Sequence, residues 1–209
     1  MTGTPFDLIT MGRVGVDLYP LQVGVGLEEV TSFGKFLGGS PTNVAVAAAR
    51  YGLNSSVITR VGIDPLGRFV RSEIERLGVD ARYVGDVQGL NTPITLCEMF
   101  PPDDFPLYFY REPTAPDLMI EAEELDLDAI AQAGIFWFTL TGLSREPSRS
   151  AHLAALEARG RTRHTIVDLD YREMLWESEA AATDQVARVL GYASVAIGNR
   201  EECRVAVGE

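Results

Sequence analysis

Metal-binding and disulfide-forming residues are scarce in this sequence. Its 209 residues include only two cysteines and two histidines, and Cys97 and Cys203 stand too far apart to form a metal-binding pair. A zinc site and a disulfide framework are therefore disfavoured. We expect both cysteines to be buried free thiols in a protein of the reducing cytoplasm.

Positive charge and long apolar runs are also lacking. Lys and Arg number 18 against 30 Asp and Glu, which gives a net charge of −12. Such a surface repels polyphosphate backbones and anionic lipids, so we expect neither nucleic-acid nor membrane partners. No run reaches the roughly 18 apolar residues of a membrane span, and the first residues lack the pattern of a signal peptide. A small anionic substrate would need a few locally placed arginines.

Two common nucleotide-binding motifs are absent. GRVGVD, after the first apolar run, lacks the spacing of the dinucleotide fingerprint G-x-G-x-x-G. The Gly-Lys pair in FGKF is followed by Phe36 where a P-loop needs Ser or Thr, and Glu29 stands in place of its first glycine. A P-loop is therefore excluded, and a dinucleotide-dependent oxidoreductase is disfavoured.

The apolar pattern that is present is typical of one α/β domain over residues 1–209. Hydrophobic residues make up 46% and charged residues 23%, and short apolar runs alternate with helical patterns, which favours a mainly parallel sheet. The predicted core strands are 7–11, 56–61, 135–140, 165–169 and 194–197. The predicted helices are 43–51, 66–77, 129–132, 148–159 and 181–190, the second with Asp64 as N-cap.

Two segments, 17–37 and 92–112, interrupt this alternation and are predicted to be antiparallel β. The second contains an alternating run, the turn PPDDFP and the strand LYFYR. The two strand pairs can form one small sheet that covers the core as a lid. So small a sheet should rest on the core or on a second subunit.

The stretch GGSPTN predicts the start of a helix, preceded by a turn whose backbone a ligand could approach. Ser40 is a suitable N-cap and Pro41 suits the first turn. Gly38 and Gly39 lack Cβ atoms, so a ligand could approach backbone N–H groups at the positive end of the helix. The amide of Asn43 can donate to and accept from hydroxyl groups. The alternative is a tight strand-to-helix turn with no ligand.

Charged residues follow two core strands at the edge where parallel sheets bind ligands. Asp17 comes after the first strand, where its carboxylate could accept two sugar hydroxyls, although an aspartate in this position is also a common turn residue. Asp168 stands at the carboxyl end of the strand at 165–169, and Asp170 and Arg172 come directly after it.

Several motifs together resemble a known family. The stretch LGGSPTNVAVAAARYGLNSSVITRVGIDPLG, residues 37–67, resembles the ribokinase-like (phosphofructokinase-B type) carbohydrate kinases. MGRVGVDLYP, LYFYREPTAPD and VDLDYREMLW resemble the branch of inositol catabolism, whose substrate is 5-dehydro-2-deoxygluconate. The resemblance runs from about residue 6 to the end of the sequence.

The resemblance implies a three-layer α/β fold with a mainly parallel sheet, a small antiparallel β-lid, and a sugar held between them. It implies ATP and Mg²⁺, and a sugar acid as substrate. A 2-keto-3-deoxygluconate kinase, a neutral-sugar kinase acting on fructose or ribose, and a non-catalytic sugar-binding protein remain alternatives. The substrate-binding residues that it implies are Asp17, Gly38, Gly39, Asn43, Phe109, Arg111, Asp170 and Arg172.

Arg111 resembles the arginine with which keto-acid sugar kinases bind a carboxylate, for which its planar fork is suited. Phe109 shares its face of the strand by the two-residue period and could cover the sugar ring. The alternative for Arg111 is an exposed ion pair with Glu112 or Asp104.

Asn199 and Glu202 resemble the family's element near Mg²⁺ and the ATP phosphates, although the same spacing is that of a helix capping box. The family's G-x-G-D element, with its general-base aspartate, is absent from the 209 residues. We expect it beyond Glu209, with the C-terminal part of the fold, and therefore expect no catalysis from these residues alone. The Leu, Phe and Tyr residues of the lid predict a homodimer formed through it.

Overall fold

The computed structural model describes residues 5–208. Its central sheet has six parallel strands in the order β10-β9-β8-β1-β4-β5. Strands were predicted at five of these six positions, and those predictions are confirmed. The strands are β1 (Leu8–Met11), β4 (Ser55–Gly62), β5 (Val84–Val87), β8 (Ile135–Thr139), β9 (His164–Asp168) and β10 (Val195–Ile197).

The strand order determines where a ligand can enter. The chain adds β4 and β5 to the sheet on one side of β1. It then adds β8, β9 and β10 on the other side of β1. The direction in which strands are added therefore reverses between β1 and β8. In open parallel sheets, ligands bind outside the carboxyl ends of the strands at such a reversal.

Helices cover both faces of the sheet, which confirms the predicted three layers. Helices α1 and α2 pack with Val57 and Val61 on one face, while α3, α4 and α5 pack with Phe136 and Phe138 on the other. Helix α6 follows β10. The helices are α1 (Ser40–Arg50), α2 (Pro65–Arg76), α3 (Leu127–Gln132), α4 (Ser148–Arg159), α5 (Glu179–Leu190) and α6 (Arg200–Val207).

Helix starts follow the predicted capping at one site and differ at another. The Asp64 carboxylate accepts from the backbone N–H of Gly67, as expected of an N-cap. The prediction that Ser40 caps α1 is wrong, because Gly39 is the N-cap residue and Ser40 already lies in the first turn. Short 3₁₀ turns cover Pro116–Met119, Ala122–Glu124, Leu140–Leu143 and Glu173–Leu175.

The predicted lid is a separate four-stranded sheet in the order β3-β2-β6-β7. Both hairpins are antiparallel as predicted, but β2 and β6 pair in parallel, so the sheet is mixed. The Lys35 ammonium, 3.9 Å from the centre of the Phe69 ring, ties this sheet to α2. The strands are β2 (Gly15–Pro20), β3 (Phe33–Gly38), β6 (Ile94–Cys97) and β7 (Leu107–Tyr110).

Two further expectations concern single features. Cys97 and Cys203 are free thiols, but only Cys97 is buried, so the predicted burial of Cys203 is wrong. Cys203 stays exposed because it lies on the outer side of α6. Within residues 5–208, no helix has both the length and the apolar character needed to cross a bilayer.

Candidate functional site

Three arginines meet where the lid covers the reversal between β1 and β8. Arg13 follows β1, Arg172 follows β9, and Arg111 follows the lid strand β7. Although far apart in the sequence, their side chains form the wall of one pocket, called here the arginine pocket. Its lining is Arg13, Phe109, Arg111, Arg172, Met174 and Leu175. In a protein of net charge −12 this is a local concentration of positive charge.

Asp170 holds two of these arginines together. Arg13 donates to both of its carboxylate oxygens, at 2.8 and 3.2 Å, and Arg172 lies 2.7 Å from one of them. Burial works against the charged form of Arg13, but Asp170 outweighs it and the pKa of the guanidinium is raised. Because the Asp170 side chain is only 4% exposed, its oxygens face arginines rather than open space.

Arg111 pairs with a carboxylate that the sequence did not indicate. Its Nη2 donates to both oxygens of Asp117, at 3.0 and 2.7 Å, and both side chains are buried. The alternative of an exposed ion pair with Glu112 or Asp104 is therefore wrong. The Nε–H of Arg111 is buried and has no hydrogen-bond partner within residues 5–208. An acceptor from a ligand would satisfy this donor.

The arginine pocket is closed in this conformation. The Phe109 ring lies 5.8 Å from the guanidinium carbon of Arg13 and covers it from the lid, and Met174 and Leu175 complete the lining. The enclosed space does not admit a sphere the size of a water molecule. A ligand can therefore enter only when the lid strand or the turn at Glu173–Leu175 moves outward.

Asp17 lies inside strand β2, so the alternative that it is a turn residue is wrong. It is paired across the lid with Phe36 on one side and Thr95 on the other. Burial raises the pKa of its carboxyl, while the positive charge of Arg13 and a hydrogen bond from Thr95 oppose this rise. The result is a half-buried acceptor close to the arginines.

The two glycines are required first by the protein itself. A Cβ at Gly38 would overlap the Asp17 carboxylate, and a Cβ at Gly39 would overlap the carbonyl oxygen of Arg13. Gly39 also has φ +106°, where side chains are strained. Asn43 is exposed and lines a wider groove between β3, α1 and α2 rather than the arginine pocket.

A hydrogen bond joins α1 to the end of β9. The Ser40 hydroxyl donates to the Asp168 carboxylate, so the serine expected to cap its own helix instead bonds across the site. Burial raises the pKa of Asp168, and the hydrogen bond from Ser40 opposes this. The bond fixes the start of α1 relative to the loop that carries Asp170.

Asn199 and Glu202 form the capping box that was the alternative interpretation. The Asn199 side chain accepts from the Glu202 N–H, and the Glu202 side chain accepts from the Asn199 N–H. Glu202 also lies 3.3 Å from Arg172. Across residues 5–208 no group of three or more acidic, His or Cys side chains could hold a metal ion. Mg²⁺ that accompanies a nucleotide is commonly held by one or two carboxylates, water and phosphates, and does not require such a group.

Sequence reasoning missed Arg13 and Asp117. Arg13 stands at the carboxyl end of the first core strand, in a chain with only 18 Lys and Arg against 30 Asp and Glu. An arginine at the end of a core strand, in a chain with so few positive charges, could therefore have been predicted to belong to the site. Asp117 carried no signal, because it becomes the partner of Arg111 only through the fold of the segment between them.

The comparisons agree with this architecture. The chain belongs to the pfkB family of carbohydrate kinases, whose profile matches residues 6–209. A 5-dehydro-2-deoxygluconokinase from Shouchella clausii (strain KSM-K16) is 33% identical over 208 residues, which are 99% of this chain and 64% of that relative. The chain thus spans less than two thirds of that relative's length.

Solved structures have the same fold. A 2-dehydro-3-deoxygluconokinase from Thermotoga maritima superposes with a TM-score of 0.86 at 23% identity, over 97% of this chain and 62% of that one. An uncharacterized sugar kinase from Pyrococcus horikoshii in complex with ATP gives 0.81 at 25% identity, over 90% and 62%. Together with the family match, they confirm the ribokinase-like fold expected from the sequence.

Proposed function

We propose that this chain binds a small keto-deoxy sugar acid beneath its lid, as the acceptor in an ATP-dependent carbohydrate kinase reaction. 5-Dehydro-2-deoxygluconate is the proposed substrate. The observation that carries the proposal is the buried Nε–H of Arg111, which has no partner within residues 5–208 and lies in the wall of a pocket with two further arginines. A substrate carboxylate would supply the missing acceptor.

The remaining contacts follow from the same pose. With its acid end in the arginine pocket, the sugar lies against the lid face that carries Asp17 and Phe109. Asp17 accepts sugar hydroxyls, and Gly38, Gly39 and Asn43 border the other side. Asp170 and Arg172 form the floor of the acid end. The names of the family and of the 33% identical relative support this choice of substrate.

ATP is the proposed phosphate donor, as in the neighbouring sugar kinase solved with ATP. Mg²⁺ is proposed as its counter-ion, with Asn199 and Glu202 as the residues nearest to it. The sequence has no G-x-G-D element. We therefore expect sugar binding without ADP formation by these 209 residues, and ADP formation in a coupled assay would contradict this.

The decisive experiment is calorimetric titration of the chain with 5-dehydro-2-deoxygluconate and with fructose. Arg111→Ala should weaken binding of the acid by about 2–4 kcal/mol and leave fructose binding unchanged, because only the acid has a carboxylate to lose its partner. Arg76→Ala is the matched control, since Arg76 is an exposed arginine paired with Glu73 on α2.

Arg111→Ala also leaves Asp117 buried without its partner, which can destabilise the fold. The double variant Arg111→Met with Asp117→Asn removes both charges and is measured alongside. Unchanged affinity for the acid in both variants would refute the sugar-acid proposal. Preferential binding of fructose by the unmodified chain would favour a neutral-sugar kinase instead.

We further propose a homodimer formed through the lid in the cytoplasm. Side chains of the lid sheet remain largely exposed, among them Tyr108 at 44% and Tyr110 at 61%, and such apolar exposure is typical of interaction surfaces. These two lie on the face of β7 opposite to Phe109. Sedimentation should give twice the monomer mass. Replacing Tyr108 and Tyr110 with Lys should return the protein to a monomer, and a monomeric unmodified chain at micromolar concentration would reject the dimer.

A further inference from the structure

Arg13 contacts three parts of the candidate site. Its carbonyl oxygen packs against Gly39 at the start of α1. Its guanidinium donates to Asp170 in the loop after β9, and the ring of Phe109 from the lid lies beside it at 5.8 Å. One residue thereby connects the start of α1, the loop after β9 and the lid.

The sharing of Asp170 between two arginines determines how much positive charge remains available in the site. Two guanidinium groups, those of Arg13 and Arg172, bind a single carboxylate. Glu202, the other acid near Arg172, lies farther away at 3.3 Å and already accepts from the N–H of Asn199. Arg13 donates to both oxygens of Asp170, whereas Arg172 contacts only one of them, through Nη2, and its Nη1 donates to the preceding backbone carbonyl at 2.9 Å. The contact of Arg172 with Asp170 is therefore one-sided and not a two-bond fork.

Without Arg13 the ion pairing of Asp170 would change. Asp170 would have only Arg172 as a partner, and an arginine and a carboxylate facing each other alone form a two-bond fork. That fork would neutralise Arg172 and turn its donors away from the pocket. Resting on the proposed function, we infer that Arg13 is a positioning residue: by donating to both oxygens of Asp170 it prevents a two-bond fork with Arg172, whose remaining donors can then bind the acid end of the substrate.

The test compares Arg13→Ala with Arg13→Ala combined with Asp170→Asn. Arg13→Ala should weaken binding of 5-dehydro-2-deoxygluconate by about 30-fold, the effect of losing one partner of a buried charged pair, and leave fructose binding unchanged. Adding Asp170→Asn should restore at least about tenfold of the loss, because it removes the charge that captures Arg172. A purely structural role does not predict this rescue.

Arg60→Ala is the control for damage to the fold. Arg60 is a similarly buried arginine, 9% exposed and 2.6 Å from Glu124, on β4 next to the edge strand β5. Its loss should lower thermal stability and leave the ratio of the two sugar affinities unchanged. Equal loss of acid and neutral-sugar binding in Arg13→Ala, or no rescue by Asp170→Asn, would overturn the inference.

A measurement without ligand separates this inference from the proposed function. Phenylglyoxal modifies accessible arginines, and peptide mass spectrometry gives the rate at Arg172. That rate should fall several-fold in Arg13→Ala and recover in the double variant. If the unmodified chain binds no sugar acid, the proposed function fails. The positioning role of Arg13 is then tested by the modification rate of Arg172 alone, and an unchanged rate in Arg13→Ala overturns that role.

Discussion

His152 offers a quantitative prediction about stability. It lies in α4, fully buried, with Nδ1 2.8 Å from the carbonyl oxygen of Ser148. Nδ1 therefore carries the proton and donates it. Nε2 is buried and has no hydrogen-bond partner within residues 5–208. A second proton would place a charged imidazolium in the protein interior, and the loss of its hydration is costly even with the backbone of Met11 close by.

The size of the effect follows from linkage. Burial lowers the pKa of His152 from 6.5 to about 4, and hydrogen bonding to the backbone of Ser148 and of Met11 opposes this shift. Between these values the unfolded chain binds a proton that the folded protein excludes. The stability that depends on neutral His152 is therefore complete above pH 6.5 and is lost as the pH falls towards 4. At 1.36 kcal/mol per pKa unit the loss is roughly 3 kcal/mol.

His152→Asn keeps a donor near Ser148 and cannot titrate in this range. Urea denaturation at several pH values between 7.5 and 4.5 gives the free energy of unfolding of each protein. The difference between the unmodified protein and His152→Asn should shrink by roughly 3 kcal/mol on acidification. His164→Asn, at the exposed second histidine, should follow the unmodified protein. Parallel pH curves for His152→Asn and the unmodified protein would refute the reasoning.

Two further stability predictions concern a glycine and an arginine. In urea denaturation, Gly39→Ala should destabilise the protein by about 2 kcal/mol more than Gly52→Ala. Both glycines have positive φ, but only a Cβ at position 39 would meet the backbone of Arg13. Equal losses of stability in the two variants would contradict this. Arg159→Met should cost more than about 3 kcal/mol, with Arg159→Lys recovering part, because four carbonyl oxygens lose their buried donor. A loss below about 1 kcal/mol would show that the backbone finds other donors.

The elements with strong local signals were predicted well. The apolar runs at β8 and β9 and the capping residues around α2 lie within a few neighbouring positions, so a local pattern is sufficient to identify them. Strand β5 was missed because VGDV is short and carries a charge. The parallel pairing of β2 with β6 was missed because nothing within either hairpin specifies its neighbour.

The candidate site was predicted in part, and the limit has a physical origin. Glycines and charged residues at the carboxyl ends of strands identified the region, since parallel strands bring those ends together. The partners of the arginines were not accessible in this way. Arg13 and Asp170 are 157 positions apart, and their pairing depends on β1 and β9 being placed in one sheet with β8 between them.

The sequence alone determined the class of fold, the existence of a lid, and the sheet edge at which a ligand binds, because these follow from periodicity and turn chemistry. Only the tertiary structure decided that Gly39 rather than Ser40 caps α1, that Arg111 pairs with Asp117, and that Arg13 shares Asp170 with Arg172. Such choices depend on which donors and acceptors are buried next to one another, and burial is a property of the packed chain.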